Sequence, residues 1–427
     1  MKLLKYSIKG KIIIFILFII LIFKYLYCFL KYKKINIAIY YLNLKNGGAQ
    51  RQTALLINHL SEIYLFNIYL FINFNENDEY KINTNIKRIL IHRGTQNLIN
   101  EIKNNKIDII IYQFYEPKEL NILNELKNVK TIVYIHSCFL TWIYLHKYNF
   151  IKELYTSFKN SKYIISLVPF ENDYLFPIWG INSILLNNFI TYEYEGIIPS
   201  DLSSKTILML GRADDKRKRF DLGIIAMQYI VQELPEAKMI IISSRNNNSE
   251  KLIKKLNLEN NIKFVGYTRK PEIYFKNASL HILPSSTESF GLAVCETKLY
   301  GIPNILTGLD CISPAKGGVI NIGDDPKIIA KEAIKVLKNQ TYRKFLGKEA
   351  RKSMKIFKNE YTTKKWIKLL IAIYQGENYY NYLRKQQKKI SQEEALIIIN
   401  NQIELLKTRE PKFKNIDFEN IINIMKT

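Results

Sequence analysis

From residue 35 onward the chain alternates short, nearly unbroken runs of β-favouring apolar residues with longer helical stretches. INIAIYYLNL (35–44) precedes a helical AQRQTALLINHL (49–60). FNIYLFINF, IKRILIH, IDIIIYQF, TIVYIHS and YIISLVPF follow as strands, with helical stretches between several of them. Near-continuous apolar strands are those with both faces covered, as in a parallel sheet flanked by helices. The expectation is an α/β chain with an open, doubly wound parallel sheet.

A second set begins at 206. TILMLGR, AKMIIISS, IKFVGY, LHILPS and PNILTG read as strands; RFDLGIIAMQYIVQEL, FGLAVCETKLYG and DPKIIAKEAIKVLKN read as helices. The polar stretch 190–204, with Gly, Pro and Ser, joins two Rossmann-like halves. Ligands of such sheets bind at the carboxyl ends of the strands, so two facing halves place a ligand in the cleft between them. The expected division is an N-terminal segment at 1–34, one Rossmann-like domain at 35–195, a second at 196–360, and a helical segment and extension of unassigned purpose at 361–427.

Residues 12–30, IIIFILFIILIFKYLYCFL, carry one charge, Lys24. As a helix they span roughly 28 Å, close to a bilayer core. No small-residue cleavage site follows, so an uncleaved transmembrane anchor is favoured over a signal peptide. Lysines flank both ends, which leaves orientation open. The expected localisation is a single-pass anchor with the globular part on the cytoplasmic side.

Net charge is +25. A nucleic-acid partner, an anionic membrane surface or a phosphorylated substrate would each suit it, and so would a plain compositional bias in a chain crowded with Ile, Lys, Asn and Tyr. The excess is spread along the chain rather than gathered, which lowers the nucleic-acid reading and leaves the membrane one. Cys28, Cys138, Cys295 and Cys311 form no CxxC pair, so neither a disulfide framework nor a zinc site is expected.

Three strand ends carry candidate chemistry. After the first strand, Gly47 and Gly48 in NGGAQR let a ligand approach the backbone and the helix N–H groups beyond it. In GRADDKRKRFD, Arg212 leaves a strand and Lys216, Arg217, Lys218 and Arg219 precede a helix; cations at a strand's carboxyl end suit a diphosphate. In STESFGLAVCE, Glu288 sits in the loop, Phe290 and Gly291 open a helix and Glu296 lies within it. Carboxylates there suit sugar and ribose hydroxyls, while the bland alternative makes Glu288 an N-terminal helix acid and Glu296 an exposed helix residue.

Together these sites resemble family 4 retaining glycosyltransferases of the GT-B fold, over about residues 36–375. The resemblance rests on Glu288-SFGLAVC-Glu296 as a Glu-x7-Glu motif, on Gly211 and Arg212 followed by Lys218 and Asp221, on Gly47-Gly48, and on His136 ending a strand in VYIHS. It implies two facing Rossmann-like domains with a cleft between. Arg212 and Lys218 would bind the donor diphosphate, with Lys216 a competitor for the Lys218 role because the loop looks one residue long. Glu288, with backbone near Phe290 and Gly291, would hold the donor sugar, Glu296 the ribose, Gly48 the diphosphate, and His136 would face the reacting sugar.

The resemblance further implies retention of anomeric configuration, a nucleotide-sugar donor (a UDP-sugar by family habit), and no cofactor. The chain has no Asp-x-Asp, so metal independence is expected. The acceptor would be a glycan or lipid-linked glycan, with the membrane as a partner and no nucleic acid. Rival readings are an epimerase or phosphorylase on the same fold, a non-catalytic membrane-anchored interaction protein, and a nucleic-acid binder.

Overall fold

The structure, a computed structural model, describes residues 33–427 apart from 46, 75–79, 93, 114, 146–147, 213, 308–313, 315, 377–379, 382–384, 386–389, 410–412, 415–417, 419–422 and 424–427. The apolar run at 12–30 lies outside these residues. Among the described residues, no helix is long and apolar enough to cross a membrane.

Among the described residues there are two all-parallel sheets. The first has seven strands in the order β3-β2-β1-β4-β5-β6-β7. They are β1 (Ile35–Tyr41), β2 (Phe66–Ile72), β3 (Lys87–Leu90), β4 (Ile109–Tyr112), β5 (Lys130–Ile135), β6 (Tyr163–Ser166) and β7 (Ile184–Leu185). The second has six strands in the order β10-β9-β8-β11-β12-β13. They are β8 (Thr206–Leu210), β9 (Lys238–Ile242), β10 (Ile262–Phe264), β11 (Leu280–Leu283), β12 (Asn304–Leu306) and β13 (Val319–Asn321). Strand β8 shows why the apolar runs do not alternate. Leu208 and Leu210 belong to the core shared with the first domain, while Ile207 and Met209 belong to a second core on the opposite face. Residues two apart share a face, and here both faces are dry.

Each sheet reverses its strand order once, between β1 and β4 and between β8 and β11. Chains leaving neighbouring strands at such a point diverge to opposite faces and open a crevice at the carboxyl ends. Helices fill the space behind. Helix α1 (Gly48–Ser61) follows β1, α2 (Phe220–Glu233) follows β8, and α3 (Leu292–Leu299) follows β11. Helix α1 buries Thr53, Leu56, Ile57 and Leu60, one stripe at helical spacing.

The chain then returns to the first domain. In α4 (Asn359–Gln375), Trp366 is buried and packs edge-on against Tyr134 of β5 at 5.2 Å. In α5 (Gln392–Arg409), the buried residues Ala395, Ile399, Ile403 and Leu406 form a stripe, and the helix packs on segment 171–178 of the first domain. The C-terminal extension is therefore a covering layer of the first half. At its end Arg409 is buried and lies 3.6 Å from Asp324 of the second half.

Candidate active site

The loops after β1, β4, β8 and β11, the four strands flanking the two reversals, supply Gly47-Gly48, Gln113, Arg212–Lys218 and Glu288. The loop after β5 adds His136. Gly47, Gly48, His136 and Glu288, with Arg212, Asp214, Asp215, Arg217 and Lys218 of the loop after β8, line one cleft of about 1010 Å³, and the Gln113 side chain sits directly beneath His136.

In the loop after β8, Asp215 organises the cations. Its carboxylate caps the Lys216–Lys218 turn by accepting from the Arg217 N–H at 3.1 Å. It also takes the Arg217 fork, Nε at 2.9 Å and Nη2 at 2.6 Å. Burial pushes Asp215 up, but the Arg217 guanidinium outweighs it and holds the carboxyl below its usual range. The Ser286 N–H donates to the Arg217 carbonyl at 2.8 Å, which ties this loop to that of Glu288. Lys218 Nζ donates to Glu288, which also accepts from Ser285 Oγ at 3.0 Å. Lys216 is exposed and lies outside the cleft lining. Arg212, 63% exposed, reaches Asp215 only at 3.4 Å. Asp221 stands outside the cleft lining and lies 3.5 Å from Arg219.

In the Glu-x7-Glu stretch, Gly291 takes φ 81° as the residue before α3, a left-handed backbone that favours glycine. Phe290 lines the cleft and is buried against Phe357, ring centroids 5.8 Å apart. No side chain caps α3, and no acid lies in its first turn. Glu296 is not an exposed helix residue: 4% of it is accessible. Its Oε1 lies 2.8 Å from Arg51 Nη2 of α1 and accepts from Thr191 Oγ1 at 3.0 Å.

Across the cleft, Gly47 adopts φ 141° before α1, where a side chain would also strike Gln50. A methyl group on Gly48 would stand 3.4 Å from Leu292 Cδ1. The first turns of α1 and α3 therefore face each other, both uncapped and both free of acids, which concentrates unpaired N–H groups and positive helix ends at one spot.

His136 is held from behind. Its ring Nε2 lies 2.5 Å from Gln113 Oε1, which Thr53 Oγ1 also approaches at 3.2 Å. Its backbone N–H donates to the Tyr115 hydroxyl at 2.7 Å, and that hydroxyl donates to the Tyr134 carbonyl at 2.8 Å. Burial pushes the imidazole down to about 3, so it is neutral at physiological pH. Nearby, the Cys138 N–H donates to Ser289 Oγ at 3.0 Å, and Thr141 Oγ1 donates to Thr287 Oγ1 at 3.2 Å. Both bonds cross from one domain to the other. Among the described residues, no group of three His, Cys, Asp or Glu side chains is placed to hold a metal ion.

Sequence reasoning named Arg217 only among the cations of its loop, and passed over Arg51, Asp215, Gln113 and Thr191. A signal existed for Arg51, a cation one turn into the helix that Gly47-Gly48 introduce. Thr191, in a polar linker, and Gln113, beneath another side chain, offered none.

Residues 193–353 match the family model described as "Glycosyl transferases group 1". An uncharacterized glycosyltransferase of Haemophilus influenzae is 31% identical over 104 residues, 24% of this chain and 29% of that one. The chain matches less than half the length of the first curated relatives, between 29% and 46%. Over whole domains the likeness lies in shape. Sucrose-phosphate synthase from Thermosynechococcus elongatus superposes with TM-score 0.70 at 15% identity, covering 80% of this chain and all of that one. The Anabaena protein HepE, solved with UDP and glucose, superposes with TM-score 0.62 at 12% identity, covering 79% of this chain and 100% of that one. The chain thus has the GT-B glycosyltransferase fold, and its second half carries the glycosyl transferases group 1 match.

Proposed function

We propose that the protein is a glycosyltransferase that moves a sugar from a nucleotide-sugar donor, a UDP-sugar, onto a glycan or lipid-linked acceptor with retention at the anomeric carbon. The observation that carries this reading is the convergence of Gly47-Gly48, Arg212, Lys218 and Glu288 at the two strand-order reversals, facing one cleft. HepE, bound to UDP and glucose in its own structure, has the same fold, which supports the choice of donor class.

In this reading the diphosphate lies between the facing first turns of α1 and α3, with Arg212 and Lys218 on its oxygens. Lys218 now pairs with Glu288. A phosphate that takes Lys218 releases Glu288 to accept from donor-sugar hydroxyls, so donor binding and assembly of the sugar site become one event. The acceptor oxygen forms its bond to the anomeric carbon as the bond from that carbon to the β-phosphate oxygen breaks. The leaving phosphate takes the electron pair and, on the same face, the acceptor's proton. The cations and helix ends are fixed before charge develops, which is how such sites lower a barrier. Neutral His136 offers the donor sugar a hydrogen bond rather than a charge. No cofactor is required, and the cationic loop serves in place of a metal.

The apolar run at 12–30 and the net charge of +25 support a membrane-anchored enzyme working at an anionic surface, on the cytoplasmic side, in polysaccharide or glycolipid synthesis. A thermal-shift screen against nucleotide sugars, followed by transfer assays of the stabilising donor with and without a lipid-linked acceptor, tests the proposal. Stabilisation by one donor and an acceptor-dependent product of unchanged anomeric configuration are expected. Epimerised donor as the product, or an inverted linkage, overturns the reaction; loss of activity in a chelator overturns metal independence.

A further inference from the structure

Glu296 belongs to the second domain, yet both groups on its Oε1 come from elsewhere. Arg51 is on the first-domain helix α1, and Thr191 is in the linker. Oε2 accepts no hydrogen bond among the described residues, although Glu296 lines the cleft. A carboxylate with one oxygen pinned has its plane and its second oxygen set by the pin. The Arg51 side chain is 23% exposed and the Glu296 side chain 5%, so their attraction is less screened than that of a surface pair.

We propose that Arg51 is a positioning residue that aims Glu296 Oε2 at the ribose hydroxyls, so that sugar-hydroxyl recognition is complete only when the two domains are closed on each other. This rests on the reading of Glu296 as the ribose reader. In an opened cleft Arg51 moves away with α1, Glu296 regains rotameric freedom, and the hydroxyls lose an oriented acceptor. Binding of the nucleoside part and closure of the domains thereby reinforce each other. Arg51 acts here through Glu296 and not on the phosphates, which Arg212 and Lys218 serve.

The test is calorimetric binding of UDP and of 2′,3′-dideoxy-UDP, which lacks both ribose hydroxyls, to the full chain. The guanosine and adenosine pairs are run alongside. Losing hydrogen bonds to a carboxylate costs wild type roughly 10- to 100-fold in affinity for the dideoxy form. In Arg51→Met the preference is expected to fall to about threefold or less, with dideoxy affinity nearly unchanged; Arg51→Lys is expected to restore part of it. A preference kept intact in Arg51→Met overturns the proposal, and so does an equal loss for both ligands, which marks Arg51 as a phosphate contact. Glu296→Gln separates the two claims. If Glu296→Gln keeps the full preference, the ribose reading itself fails and this inference with it. If Glu296→Gln loses the preference while Arg51→Met keeps it, only the role of Arg51 fails. A melting scan of each variant, and Thr191→Val as a second route to freeing Oε1, guards against misfolding: a folded Thr191→Val with a reduced preference supports the proposal, and one with the wild-type preference counts against it.

Discussion

The two walls of the cleft are built on opposite principles. The second-domain wall is a lattice of paired charges, with Arg217 on Asp215 and Lys218 on Glu288. The first-domain wall around His136 is neutral: Gln113, Tyr115 and Tyr134 hold an imidazole that burial keeps uncharged. A paired charge can be exchanged for a ligand's charge with little reorganisation, whereas a neutral buried network resists charge and reads shape. The family match, 193–353, falls on the charged wall. The first-domain wall, built from residues before 193, lies outside that match.

The largest expected effect is on the charged wall. Glu288→Ala or Arg212→Ala should abolish transfer, a loss of at least about 10²- to 10³-fold in kcat, with an unchanged melting temperature. Full activity in either folded variant, measured by product formation, would break the assignment of that wall as the reacting one.

Next comes a stability effect behind the neutral wall. Burial raises the Glu171 carboxyl from 4.5 to about 8. The folded state therefore holds a proton that the unfolded state has lost, and stability drains away as pH rises from 4.5 to 8. Glu171→Gln should flatten that slope and melt higher than wild type at pH 8, where a parallel melting curve for the two proteins would refute it.

The imidazole gives an effect of similar size and opposite sign. His136 falls from 6.5 to about 3, so its contribution is complete above 6.5 and is lost as pH falls toward 3. Because it stays neutral, the rate should show no acid limb with an apparent pKa near 6.5 that His136→Asn removes. The smallest expected effect is Lys216→Ala, under about twofold in donor KM, since this lysine lies outside the cleft lining while Lys218 pairs with Glu288.

Much of this architecture was legible because parallel strands buried on both faces write themselves as apolar runs. Strands β7 and β13 escaped. One has two residues, and the other, VIN, is partly exposed and too short for a pattern. The candidate site was legible where residues cluster in one loop, as with Glu288, Gly291 and Glu296. Partners brought together only by the fold were not: Arg51 meets Glu296 across more than two hundred residues. The return of α4 to the first domain was invisible for the same reason, since Trp366 and Tyr134 meet only after both sheets have formed.

Asn359, the first residue of α4, accepts from the Ile190 N–H at 2.8 Å and donates back to its carbonyl at 3.0 Å. Arg351 Nη2 donates to the Tyr194 and Ile197 carbonyls, both at 3.0 Å. The polypeptide thus passes between the domains twice, and the two passages are laced together along one seam. Two strands bound side by side resist twist and slide far better than one, leaving swing about the seam as the soft motion. The protein is a door on a double-pinned hinge, and the Arg51–Glu296 contact, which shares Oε1 with Thr191 one residue past Ile190, lies beside the pins.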